Sequence, residues 1–265
     1  MGNGWHEWPL VLFTVLGQCV AGGVIGTGLV WMANESDRRG QLHIVRSQFF
    51  LWLLMGIGFV ASMMHLGSPL RAFNSLNRIG ASALSNEIAA GSLFFALGGI
   101  WWLLSWLGKM PAGLGRIWLL VSMASGVLFV WAMTRVYQIE TVPTWHNGYT
   151  TASFFLTMLI GGPMLAALLL RLVGMRFPAS RFAAISVVAL LASAAVVMLQ
   201  SIQLGETHSS VQQASALIPD YGLLQALRLL LLALGLGCWL CPLVLRRQPR
   251  VSSLLIGFLL VVAGE

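Results

Sequence analysis

The chain has 265 residues, 58% hydrophobic and only 9% charged, with a mean hydropathy of +0.84 and a formal net charge of +7. No soluble domain can hide that fraction of apolar side chains, so a soluble enzyme and a nucleic-acid-binding module are both excluded, despite the positive charge. Aqueous stretches are short, so residues 1–265 read as a single polytopic membrane domain.

The N-terminal MGNGWHEWP carries no Lys or Arg, and no small-residue cleavage site follows the first apolar run, which argues against a signal peptide. His6 stands where N-myristoylation requires Ser or Thr. A helix needs about 20 residues to cross a bilayer. Seven runs reach that length, at 9–33, 47–66, 86–107, 117–137, 151–172, 182–204 and 223–245. An eighth, VSSLLIGFLLVVAGE, would rise only about 22 Å and reads as a helix cut short. The expected fold is an all-α bundle of eight transmembrane helices. Long outer loops joining runs 2–3 and 6–7 hint at two four-helix halves. Gly22-x-x-x-Gly26 in the first run could permit a close helix contact.

Charge gives the orientation. Of the 15 Lys and Arg residues, all but Arg71, Arg78, Arg135 and Arg228 fall in or beside the turns after odd-numbered runs. Those turns should face the cytoplasm, with the N-terminus outside. Trp31, Trp52, Trp101, Trp102, Trp106, Trp118 and Trp239 then fall near the inner boundary, and Trp5, Trp8, Trp131 and Trp145 near the outer one, as an aromatic belt would.

The outer stretches 67–86, 138–150 and 205–222 are the chemically varied ones, and His6, His65, His146 and His208 all lie on that side. His65 should end the second helix, with Glu87 at similar depth just inside the third after a Ser85-Asn86 cap. A neutral imidazole can accept a proton and a carboxylate can relay it, which suits a lipid-soluble quinol. By position alone His65 reads equally well as a solvated interfacial residue, and Glu87 as an acid favoured by the helix dipole. Arg71 and Arg78 suit lipid phosphates or a partner subunit. Arg135 and Arg228 sit near helix ends, Arg228 about two turns inside. The segment holding His208 and Asp220, and the loop holding His146, could complete an outer pocket, dock a partner, or simply be solvated. Cys238-Trp-Leu-Cys241 has redox spacing but no second pair, so two buried structural thiols are expected. Within the spans only His65 is placed as an axial ligand, which disfavours haem, and no metal cluster is evident.

GWHEWPL, LMGIGF followed by ASMMHLGSPLRAFNSLNRIGASALSNEIA, the TVPTW loop and HSSVQQASALIPDYG together resemble the membrane anchor subunit of dimethyl sulfoxide reductase and its close paralogues, over essentially the whole chain. The nearer pattern is the paralogous anchor of a dimethyl sulfoxide/selenate-type reductase. The resemblance implies an eight-helix, haem-free anchor in the bacterial inner membrane with a periplasmic N-terminus. It implies partners on the periplasmic face: a molybdopterin catalytic subunit and an iron–sulfur subunit, which carry those cofactors. The anchor would oxidise menaquinol and pass its electrons to the iron–sulfur subunit, without itself reducing the terminal acceptor. His65 and Glu87 match family positions implicated in quinol binding and proton transfer, with Arg71, Ser68 and Asn86 in support. The family's eighth helix runs beyond Ala263-Gly264-Glu265, where this chain stops. A passive tether without a quinol site is the alternative, and a small-solute transporter ranks behind both.

Overall fold

The computed structural model describes residues 8–65, 77–138, 145–206 and 221–265, apart from the side chains of His65, Ala112, residues 204–206 and Tyr221. The described residues form nine helices: α1 (Trp8–Ala33), α2 (Arg38–Ser47), α3 (Phe49–His65), α4 (Ala83–Trp106), α5 (Ala112–Tyr137), α6 (Gly148–Leu172), α7 (Ala179–Glu206), α8 (Tyr221–Val244) and α9 (Val251–Gly264). Helices α2 and α3 act as one span, so seven segments are long and apolar enough to cross a bilayer, and α9 is a shorter eighth. The chain is a multi-pass membrane protein.

Two helices form the centre. From Phe13 to Gly28 nearly every residue of α1 is buried, and α6 is enclosed in the same way from Ile160 to Leu170. A helix apolar all round must be wrapped by others. The two pack on each other through small residues. A Cβ added at Gly22 would stand 2.7 Å from Gly162 Cα and 2.6 Å from the Met158 carbonyl oxygen, and one at Gly26 would meet Ala166 Cβ at 2.6 Å. The expected close contact at Gly22-x-x-x-Gly26 is therefore made, against a matching small-residue stripe on α6.

The remaining helices divide as the sequence hinted. α1 packs on α3 and α5, and α4 packs along α5; α6 packs on α7 and α9, and α8 packs along α9. These are two four-helix halves of like connectivity, joined at their leading helices. Outward-facing Ile100, Leu128, Val188 and Leu230 present the apolar surface that lipid covers.

Three expectations are corrected. The second span, expected from residue 47, begins about two and a half turns earlier, because Asp37 caps a helix there, accepting the Gly40 N–H at 2.9 Å, so that Arg38, Arg39 and Arg46 lie on its first turns. Trp52, Trp101 and Trp239 are core residues, not belt residues. Trp52 fills a notch left by Gly98, and Trp101 Nε1 donates to the Gly115 carbonyl at 2.7 Å. Finally, Cys238 and Cys241 are free but not both buried: they fall off the α8 stripe of Leu232, Leu236 and Trp239, leaving Cys241 exposed.

Two prolines sit inside helices, at Pro163 in α6 and Pro242 in α8. Each removes the N–H that would reach the carbonyl four residues back. In both cases a serine of the next helix takes its place. Ser186 of α7 donates to the carbonyls of Leu159 (3.3 Å) and Ile160 (2.9 Å), and Ser253 of α9 donates to Cys238. A freed carbonyl without water is costly, so these bonds fix how α7 and α9 dock. Ser186→Ala should destabilise the chain by about 1 kcal/mol, and by clearly less in a Pro163→Ala background, where the restored N–H at position 163 reaches the Leu159 carbonyl. Denaturation in mixed micelles would read both; equal losses in the two backgrounds would refute the coupling.

Candidate functional site

The site is built on α4. Ser82 caps this helix, its Oγ accepting the Ser85 N–H at 3.5 Å, so the helix starts at Ala83 and the expected Ser85-Asn86 cap is displaced by about one turn. Asn86 instead closes the preceding turn, its Oδ1 accepting the Gly80 N–H at 2.6 Å. Gly80 has φ +88°, a left-handed conformation suited to glycine, and Asn86 locks that turn onto the helix. Arg78, at the same turn, is exposed and supplies the carbonyl that the Ala81 and Ser82 amides reach.

One face of α4 is buried along Glu87, Gly91, Phe94, Gly98 and Trp101, at alternating steps of four and three. That is the stripe of a helix packed into a bundle. Glu87 is therefore turned inward by the same periodicity that buries Phe94. It is 1% exposed, and its Oε1 has no hydrogen-bond partner among the described residues. The dipole-favoured surface acid does not describe this residue.

Its surroundings follow from register. Phe129 of α5 lies against both Gly91 of α4 and Gly17 of α1, and stacks on Phe94 at 6.0 Å. Phe13 meets Phe59 at 5.3 Å and Phe129 at 5.8 Å, tying α1, α3 and α5 into one aromatic cluster. Phe59 of α3 and Phe95 of α4 pair at 5.8 Å. Counting from that pair at 1.5 Å per residue, the backbone of His65 stands about 9 Å, and that of Glu87 about 12 Å, towards the same end of the bundle. Helix α3 thus ends at His65 close to the level at which α4 buries Glu87. The side chain of His65, together with Ser68, Arg71, His208 and Asp220, lies outside the described residues.

Other expected residues fall elsewhere. His146 is exposed in the turn before α6. Arg228 is held within the second half by Glu265, its Nη2 and Nε reaching Oε2 at 2.6 and 3.1 Å, with the side chains only 17% and 4% exposed.

Gln18 was missed by sequence reasoning. It is buried in α1 next to Gly17, with Oε1 unpartnered among the described residues. A single amide inside an otherwise apolar run is its only sequence signal. The second half repeats the pattern of the first: Glu87 is the fifth residue of α4, and Gln225, the fifth of α8, likewise buries an unpartnered Oε1. The paired positions differ in one respect that matters for chemistry, since an amide cannot take up a proton as a carboxylate can.

A family model for the DMSO reductase anchor subunit (DmsC) matches residues 1–265. The chain belongs to that family. It is 65% identical over 265 residues to the anaerobic dimethyl sulfoxide reductase chain YnfH of Escherichia coli, covering 100% of this chain and 93% of that protein. It is 55% identical to the C chain of the Escherichia coli anaerobic dimethyl sulfoxide reductase and 40% identical to the C chain of the Haemophilus influenzae enzyme, each over 100% of this chain and 93% of the relative. The family resemblance drawn from the sequence motifs thus holds over the full length, for an anchor subunit whose interior carries a carboxyl group with an oxygen unpartnered among the described residues.

A buried polar atom without a partner costs about 1–3 kcal/mol. Glu87→Met should therefore raise the stability of the purified anchor by about 1–2 kcal/mol. A lowered midpoint in detergent melting would show that Glu87 holds the fold together instead.

Proposed function

We propose that the chain is the quinol-oxidising anchor of a dimethyl sulfoxide-type molybdoenzyme of anaerobic respiration. In this reading it lies in the bacterial inner membrane with its N-terminus and the Glu87 end facing the periplasm. The observation that carries the proposal is the Glu87 carboxylate, buried on the packed stripe of α4 with an oxygen that has no partner among the described residues. A quinol hydroxyl is a donor delivered from the lipid phase, so an unpaired acceptor inside a lipid-embedded bundle fits it. The charge distribution supports the orientation, with the basic turns gathered at the opposite end.

Menaquinol, when bound, supplies two electrons and two protons as it becomes menaquinone. Glu87 accepts a hydrogen bond from one hydroxyl and then its proton, and His65 serves the other hydroxyl or passes protons towards water. Glu87 lies about one turn inside the helix start, so the exit to the aqueous side is short. The electrons go to the iron–sulfur clusters of a partner subunit, and from there to a molybdopterin catalytic subunit that selects the terminal acceptor. The anchor holds both partners at the membrane and need carry no haem of its own.

Glu87→Gln and His65→Arg should each lower menaquinol-driven reductase turnover by at least about tenfold, while dye-driven reduction by the soluble subunits stays intact. A fluorescent quinol analogue should be quenched on binding the wild-type anchor and much less on binding Glu87→Gln. Unchanged quinol-driven turnover in both variants would leave the chain as a passive tether.

A further inference from the structure

At the opposite end of the bundle from Glu87, the α1–α2 and α4–α5 turns flank an open cavity of about 260 Å³. Trp31, Gln41 and Ser105 line it, with Glu35, Arg38 and Arg116. Its walls are held in place independently of any ligand. Trp31 packs edge-on against Trp101 at 5.2 Å, Trp101 Nε1 holds the Gly115 carbonyl at 2.7 Å, and the Gln41 amide donates to the Trp31 carbonyl at 3.1 Å. The Ser105 hydroxyl is shielded from solvent and has no hydrogen-bond partner among the described residues. A shielded hydroxyl beside a polar cavity is a donor without an acceptor.

The charges indicate the chemistry that the cavity suits. Two guanidinium groups against one carboxylate leave a single positive charge. Glu35 and Arg116 pair at 2.6 Å and are both well exposed, so the pair is weak and leaves donors of the Arg116 fork free. Asp37, the next carboxylate, is occupied in the cap of α2. A phosphodiester carries one negative charge and only acceptor oxygens, which complements both the residual charge and the Ser105 donor. The cavity lies at the level of the half-buried Trp102 and the exposed Trp106, beside the ends of the spanning helices, where lipid headgroups stand.

We propose that this cavity is a binding site for the phosphodiester headgroup of a membrane lipid in the leaflet at the basic end of the bundle. Arg38 and Arg116 hold the phosphate, the Ser105 hydroxyl donates to it, and the acyl chains remain in the bilayer. Basic pockets between transmembrane helices are an established way to select anionic lipids.

The test is native mass spectrometry of the chain, purified from membranes with its associated subunits, titrated with phosphatidylglycerol and, separately, with glycerol phosphate. Phosphatidylglycerol should bind the wild type, and the Arg38→Gln/Arg116→Gln double variant should bind it roughly tenfold or more weakly. Ser105→Ala should weaken binding a few-fold and Glu35→Gln should tighten it, each with an unchanged melting midpoint. Equal phosphatidylglycerol binding by wild type and double variant would overturn the proposal. If the double variant melts early, Ser105→Ala decides in its place, and unchanged binding there overturns it. Saturable binding of glycerol phosphate that displaces the lipid would also overturn it, by assigning the cavity to a soluble phosphate compound.

Discussion

The close approach of α1 and α6 at Gly22 and Gly162 sets the geometry of everything around it. In a bilayer there is no hydrophobic drive to bring helices together, so contact area and backbone proximity carry the association. Any side chain at either glycine would occupy the space of the opposing backbone. Because the two helices that meet there are the leading members of the two halves, that one contact positions α3, α4 and α5 on one side and α7, α8 and α9 on the other. The aromatic cluster of Phe13, Phe59, Phe94 and Phe129 then fills the first half and places α4 with its Glu87 stripe inward.

The second structural theme is the handling of unpaired backbone. Pro163 and Pro242 would each leave a carbonyl stranded in a medium with no water, and Ser186 and Ser253 answer them from the following helix. The arrangement is the same in the α6–α7 and α8–α9 pairs, so a local defect in one helix specifies the docking of the next. Some buried polar groups in the core are settled similarly: the Gln48 amide nitrogen donates to Thr27, and Thr27 to the Gly23 carbonyl. Other buried polar atoms have no partner among the described residues, and of these Glu87 Oε1 lies at the start of α4 while Gln225, at the matching place in α8, is a group without acid–base capacity.

The two ends of the bundle carry different chemistry. The end holding Glu87 offers a buried acceptor, unpartnered among the described residues, next to an aromatic interior, which suits a neutral donor arriving through lipid. The end holding Arg38 and Arg116 offers cations and a donor around an open cavity, which suits an anion at the interface. The residual positive charge at the second site follows from the same topology that separates basic turns from varied ones.

By itself the sequence determined the class, the number of spans and the asymmetry of charge, because twenty-residue apolar runs admit only helices in a bilayer. It also marked His65 and Glu87 as ionisable residues near one end, and Gly22-x-x-x-Gly26 as a contact. It could not tell a belt tryptophan from a core one: Trp52 and Trp106 sit in similar apolar runs, and only the notch at Gly98 buries the former. It could not place Glu87 inside either, because a helix start judged one turn late leaves an acid at the surface cap. Capping by Ser82 lengthened the helix and the Phe94 stripe fixed its rotation. Arg228 with Glu265, Ser186 with Pro163 and Ser105 with Arg116 lie far apart in sequence or on different helices, and only tertiary packing brings them together.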